Sequence, residues 1–131
     1  MNGLDTNVLI RYITQDDGPQ AAQAEKAIEN ARSRNEKLLI QPMVLCEMIW
    51  VLDSAYGMTK SQVLSAIELV MRTAQFKIVD KDMCWKALAD FSQKNGDFAD
   101  YYIGRTNMRD GSGVTLTFDK ALTDSDMFSL L

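Results

Sequence analysis

The sequence predicts an α/β fold, a parallel sheet flanked by helices. Two observations carry this. Strand-length apolar or alternating runs recur between longer segments of helical periodicity, from one end of the chain to the other. No internal repeat, low-complexity tract or linker interrupts them, and 131 residues suit one compact domain spanning 1–131.

In order, residues 2–5 offer a brief strand. "VLIRYI" (8–13) reads as a short helix that stops at the polar turn "TQDDGP". Pro19 fits a first helical turn, and residues 20–34 continue as a helix, with Ala21, Ala24, Ile28 and Ala31 making one apolar face. "KLLIQP" (37–42) is a strand with a proline stop. Residues 43–57 form a strongly apolar helix closed by Gly57. Thr59 and Gln62 match a capping box that opens a helix to about Ala74. "FKIVD" (76–80) alternates as a strand does. Asp80 is then expected to cap a helix with Trp85, Leu88 and Phe91 roughly on one face. "DFADYYIGRTNM" (97–108) is a further helix, "GVTLTF" (113–118) a strand, and Asp119 precedes a short tail.

Composition narrows the chemistry. With 47% hydrophobic and 24% charged residues the chain is globular, and no apolar stretch reaches the ~18 residues of a membrane span. The start "MNGLDTN" lacks the basic region and apolar core of a secretory signal. Cys46 and Cys84 lack metal-ligand spacing and sit among apolar residues, as buried thiols do. A cytoplasmic protein with no membrane partner is expected. The net charge of −4 argues against a broad basic field for nucleic acid, unless bound cations offset clustered carboxylates. The chain has no histidine, which removes Ser-His-Asp and Cys-His catalysis and histidine-bound zinc.

Carboxylates remain. Asp5 and Asp119 follow strand-like runs, where open α/β sheets place their sites, although a helix cap explains each as well. Glu47 is the only charged residue in "MVLCEMIWVL", and a buried carboxylate calls for a cation, whereas one on a narrow exposed stripe does not. Asp97 and Asp100 share a helix face. Asp97 suits a cap, and Asp100, one turn inside among aromatic residues, is harder to explain that way. Oxygen-only donors of this kind suit Mg²⁺ or Mn²⁺ and metal-assisted hydrolysis.

Taken together, "LDTNVLIRYITQDD", "VLCEMIWVL", "DFADYYIG" and "TLTFD" resemble the PIN-domain family, most nearly the VapC-type toxins of bacterial toxin–antitoxin pairs. The likeness covers nearly the whole chain. It implies a three-layer α/β/α sandwich with a central parallel sheet, and a Mg²⁺-dependent endoribonuclease in which Mn²⁺ substitutes. It assigns Asp5, Glu47, Asp100 and Asp119 as catalytic metal ligands, with Asn7 and Asp97 in support. Arg11 is placed to pair with a carboxylate or a phosphate. The resemblance further implies an RNA substrate, a VapB-type antitoxin partner and a homodimer. Met48, Ile49, Trp50 and Leu52 are then either partner surface or core.

The chain departs from the family in its polar first strand and in "GRTNMRDGSG", where Arg105 and Asn107 are open to facing a partner. Other enzyme classes fit less well. A haloacid-dehalogenase-type phosphotransferase needs a second Asp where Asn7 stands, and a receiver domain needs a mid-chain acid after a strand, whereas Asp53 lies in a helix. The remaining alternative is a catalytically inactive PIN-like RNA- or protein-binding module.

Overall fold

The computed structural model describes all 131 residues, which divide into two compact units, Met1–Val79 and Asp80–Leu131. In the first, β1 (Asn2–Gly3) leads into α1 (Thr6–Thr14) and α2 (Gly18–Ser33). Then come β2 (Leu38–Ile40), α3 (Pro42–Ser54), α4 (Lys60–Arg72) and β3 (Phe76–Ile78). The strands pair in parallel in the order β1-β2-β3, with Asn2 opposite Leu38 and Ile40 opposite Ile78. Strands this short hold little by themselves. The unit rests on helices packed over the sheet: Leu9, Ile40, Leu45, Met48, Leu52, Ile67 and Val70 are all fully buried.

Local signals set the boundaries. Asp17 caps α2 by accepting the Gln20 N–H, and a proline occupies its first turn. The Thr59–Gln62 capping box forms as expected, each side chain taking the other's backbone N–H at 3.2 and 2.9 Å. After α3, Gly57 adopts φ +61°, which lets the chain reverse and return its N–H to Asp53. Both cysteines are buried free thiols.

Arg11 anchors the polar end of this unit. Its Nη1 lies 3.0 Å from both oxygens of Asp16, and its Nε donates to Gln20 at 2.7 Å. Tyr56 and Thr14 also donate to Asp16, at 2.6 and 2.8 Å. These bonds join the end of α1, the start of α2 and the turn after α3. They hold the Asp16 carboxyl at about 2, below its ordinary 3.8, with the Tyr56 hydroxyl as the largest cause.

The second unit contains α5 (Lys81–Gln93), α6 (Phe98–Arg109), β4 (Thr115–Thr117), a 3₁₀ turn (Lys120–Asp124) and β5 (Phe128–Leu130). Strand β5, which sequence inspection leaves as a tail, pairs in parallel with β4. Helix α5 packs on α6, and Asp90, almost fully buried, takes a two-pronged bond from Arg105 at 2.7 and 2.9 Å. Lys94 approaches the same carboxylate at 3.6 Å.

Two expectations are corrected here, and a choice left open between core and partner surface is decided. Asp80 stands at the cap position of α5 but has φ +56° and makes no cap bond. Its carboxylate instead accepts from Tyr102 and Arg109, at 2.9 and 2.7 Å, which lowers its pKa, Arg109 contributing most. Arg105 is bound to Asp90, and Asn107 donates to Thr115 at 2.9 Å, so both staple the unit internally. Trp50 is exposed, whereas Met48, Ile49 and Leu52 are core.

Gly96 is the tightest point. A Cβ there would lie 2.3 Å from Leu122 and 2.9 Å from the Tyr101 hydroxyl, which already accepts the Gly96 N–H. Gly96→Ala should therefore cost about 1–3 kcal/mol in denaturant unfolding. Asp90→Ala should cost about 2 kcal/mol, less than for a fully buried pair because Arg105 keeps 34% of its side chain in solvent. Asp110→Ala, which breaks only an exposed pair, should stay within about 0.5 kcal/mol. Because folding lowers the Asp16 pKa, the interaction stabilises the fold above about pH 4 and is lost as pH falls through 2. Tyr56→Phe should move that pKa back toward 3.8 in a carboxyl-carbon NMR titration, and an unchanged value would show that the hydroxyl is not its main cause.

Candidate active site

In the first unit the candidate residues gather where β1 ends and α1 begins. The backbone leaves the strand at Asp5 in an extended conformation, and Asp5 Oδ1 accepts the Asn7 N–H at 2.8 Å, capping α1. Thr6, a buried polar residue, turns its hydroxyl to Glu47 Oε1 at 3.3 Å. Glu47 is thus drawn from α3 to the opening turn of α1, where the helix dipole favours negative charge. This Thr6 link to Glu47 is one that sequence reasoning missed.

The burial argument for Glu47 does not hold. It is exposed, in a row with Met43, Trp50 and Ser54 along α3, so water hydrates its charge and no cation is needed for that purpose. What places it near Asp5 is the Thr6 hydroxyl. Asn7 supports Asp5 through its backbone N–H, while its side chain is exposed. Arg11 takes the carboxylate half of its expected alternatives, being committed to Asp16.

In the second unit the acids also open helices. Asp97 and Asp100 form a capping box at the start of α6, with Asp100 Oδ2 accepting the Asp97 N–H at 3.0 Å. Capping therefore accounts for Asp100 as well as Asp97, contrary to expectation. The site end of α6 is fixed from below by Phe98 and Tyr101, both fully buried. Asp119 follows β4, accepts the Ala121 N–H at 2.9 Å and donates its own N–H to Thr117. It caps the 3₁₀ turn.

Each of Asp5, Glu47, Asp100 and Asp119 uses one oxygen in these bonds and keeps the other free. Free, preoriented carboxylate oxygens are hard donors of the type Mg²⁺ takes, with water filling the remaining positions. Neither unit by itself gathers three carboxylate or thiol side chains into a metal-holding group. The donor chemistry fits a divalent ion; the grouping within either unit supplies only part of a ligand set.

The chain is 23% identical over 100 residues to a VapC ribonuclease of Aquifex aeolicus (strain VF5), a stretch covering 76% of this chain and 73% of that protein. Helices alternating with parallel strands place it in the α/β/α class expected from the sequence. The PIN domain matches residues 4–126, a span that includes all four acids and runs through both units. The chain belongs to the PIN-domain family.

Proposed function

We propose that the chain is a Mg²⁺-dependent endoribonuclease, the toxin of a toxin–antitoxin pair, with Mn²⁺ able to substitute. Asp5, Glu47, Asp100 and Asp119 would hold the ion, and Asn7 and Asp97 would support them. The observation that carries this reading is Asp5, fixed at the end of β1 by the Asn7 N–H, with Glu47 bonded to the adjacent Thr6. Family membership and the likeness to a VapC ribonuclease favour the same chemistry. A VapB-type antitoxin, a homodimer and a cytoplasmic setting belong to the proposal; no helix is long and apolar enough to cross a membrane.

A bound divalent ion would supply electrostatic stabilisation of the charge that develops in phosphodiester hydrolysis. The chain's own part is preorganisation. Caps hold the Asp5, Asp100 and Asp119 carboxylates in one orientation before any ligand arrives, so little reorganisation is left. The net charge of −4 repels an RNA backbone, which makes cation and substrate binding interdependent.

That these acids also cap helices favours a second reading, an inactive PIN-like module that binds RNA or protein. Asn substitution separates the two, because Asn keeps a cap-accepting oxygen and removes the charge. Purified protein should cleave structured RNA with Mg²⁺ or Mn²⁺ and stop in EDTA. Asp5→Asn and Asp100→Asn should each lower the rate by roughly a hundredfold or more while thermal unfolding stays unchanged. Variants that cut as well as the parent would remove these acids from the site, and failure of antitoxin-free protein to cut any RNA would favour the binding module.

A further inference from the structure

A groove of about 720 Å³ lies wholly within the first unit, between α2 on one side and β1 with α1 on the other. That volume falls in the range of about 300–1,000 Å³ usual for small-ligand clefts. Its lining follows a pattern that folding alone does not require. Gln23, Ala27, Asn30 and Arg34 recur along α2 at spacings of three and four, next to the buried face made by Ala21, Ala24, Ile28 and Ala31. All four are exposed. Asn2 and Asn7 line the opposite wall, and Asn7 stands two residues from Asp5.

Arg11 and Gln20 at one end of the groove are bonded to each other, and Glu36 adds a carboxylate to the lining, but the α2 row is uncommitted. Gln23 and Asn30 make no side-chain hydrogen bond, and Arg34 is paired with no carboxylate, in contrast to Arg11, Arg32, Arg105 and Arg109. Carboxamides on both walls each present a donor beside an acceptor, the pattern that matches the edge of a nucleobase. Alanine between them leaves room for a flat ring to approach. A planar guanidinium at the end of the row suits a phosphate. No aromatic ring lines the groove, so recognition here would rest on hydrogen bonds, which discriminate among bases, and not on stacking, which does not.

We propose that this groove is a base-reading subsite that takes one unpaired nucleotide of an RNA, with Gln23 and Asn30 reading the base and Arg34 holding a phosphate. The choice of RNA as the ligand's source rests on the ribonuclease reading; the groove and its free side chains do not.

The test uses the intact protein in Mg²⁺ and the four ribonucleoside 5′-monophosphates, which contain no bond for a ribonuclease to cut. Amide NMR shifts should concentrate on residues 23–34 and on Asn2 and Asn7, with one base preferred at least about fivefold. Gln23→Ala or Asn30→Ala should erase the preference, and Arg34→Ala should weaken all four nucleotides alike. Ala27→Leu should block the groove. Arg32→Ala, an equal change of charge on another face of α2, should leave binding as it was. Equal losses from Arg32→Ala and Arg34→Ala would overturn the proposal, as would the absence of groove shifts at millimolar nucleotide, which would turn the groove over to a protein segment. The two readings fail separately: RNA cleavage without groove shifts removes the subsite alone, and nucleotide binding without RNA cleavage removes the nuclease alone.

Discussion

Helix opening is the constraint on which the rest of this molecule depends. The first N–H groups of a helix have no partner within it, and here carboxylates at positions 5, 17, 97 and 119 stand where helices or helical turns begin. A capping carboxylate has two oxygens and spends one. The bond fixes its orientation. Capping is therefore compatible with the ligation proposed for Asp5 and Asp119, since it orients the free oxygen that ligation requires. The same geometry explains why a short strand ends on an acid: extended backbone at Asp5 places the side chain beside the N–H groups of the next helix.

The second unit shows what it takes to hold such an acid still. Helix α6 carries Asp100 at its first turn, and its later turns are fastened three times, by Tyr102 and Arg109 to Asp80, by Arg105 to Asp90 and by Asn107 to Thr115. Asp80 adopts a left-handed backbone to reach its two partners, a conformation unusual for any residue but glycine, asparagine or aspartate. Gly104 lets α6 approach β5 closely, as a Cβ there would meet the Phe128 ring at 2.8 Å. These contacts are spaced along the helix, so they restrain its rotation as well as its position.

Sequence inspection reached the helices, four of the five strands and their order, because capping boxes, prolines and apolar spacing are local signals. Thr59 with Gln62 is the clearest case. It missed β5, a three-residue strand whose "FSL" has neither the length nor the alternation to stand out. It misjudged Glu47 for a physical reason. A helix as apolar as "MVLCEMIWVL" has no distinct polar face from which to read its rotation, so the exposed row through Met43, Glu47 and Trp50 becomes visible only in three dimensions. The acids of the candidate site were legible as residues, and their capping bonds partly so. The Thr6 hydroxyl that joins α1 to Glu47, forty-one positions away, was not, because no local pattern encodes a tertiary hydrogen bond.

Charge bears on how an acidic chain would handle the anionic polymer proposed as its substrate. Four of its arginines, Arg11, Arg32, Arg105 and Arg109, are spent on the chain's own carboxylates, which stabilises structure and removes them from any general basic field. On the proposed reading, affinity for RNA comes from discrete sources: divalent cations at the carboxylates, and the donors and acceptors of a groove. Neither spreads positive charge over the surface, so on this reading nonspecific association is weak and a correct sequence contributes a larger fraction of the total binding. A low background of electrostatic attraction is thus itself a source of discrimination, and it follows from acids outside the candidate metal site, Asp16, Glu29, Asp80 and Asp90, which occupy the arginines.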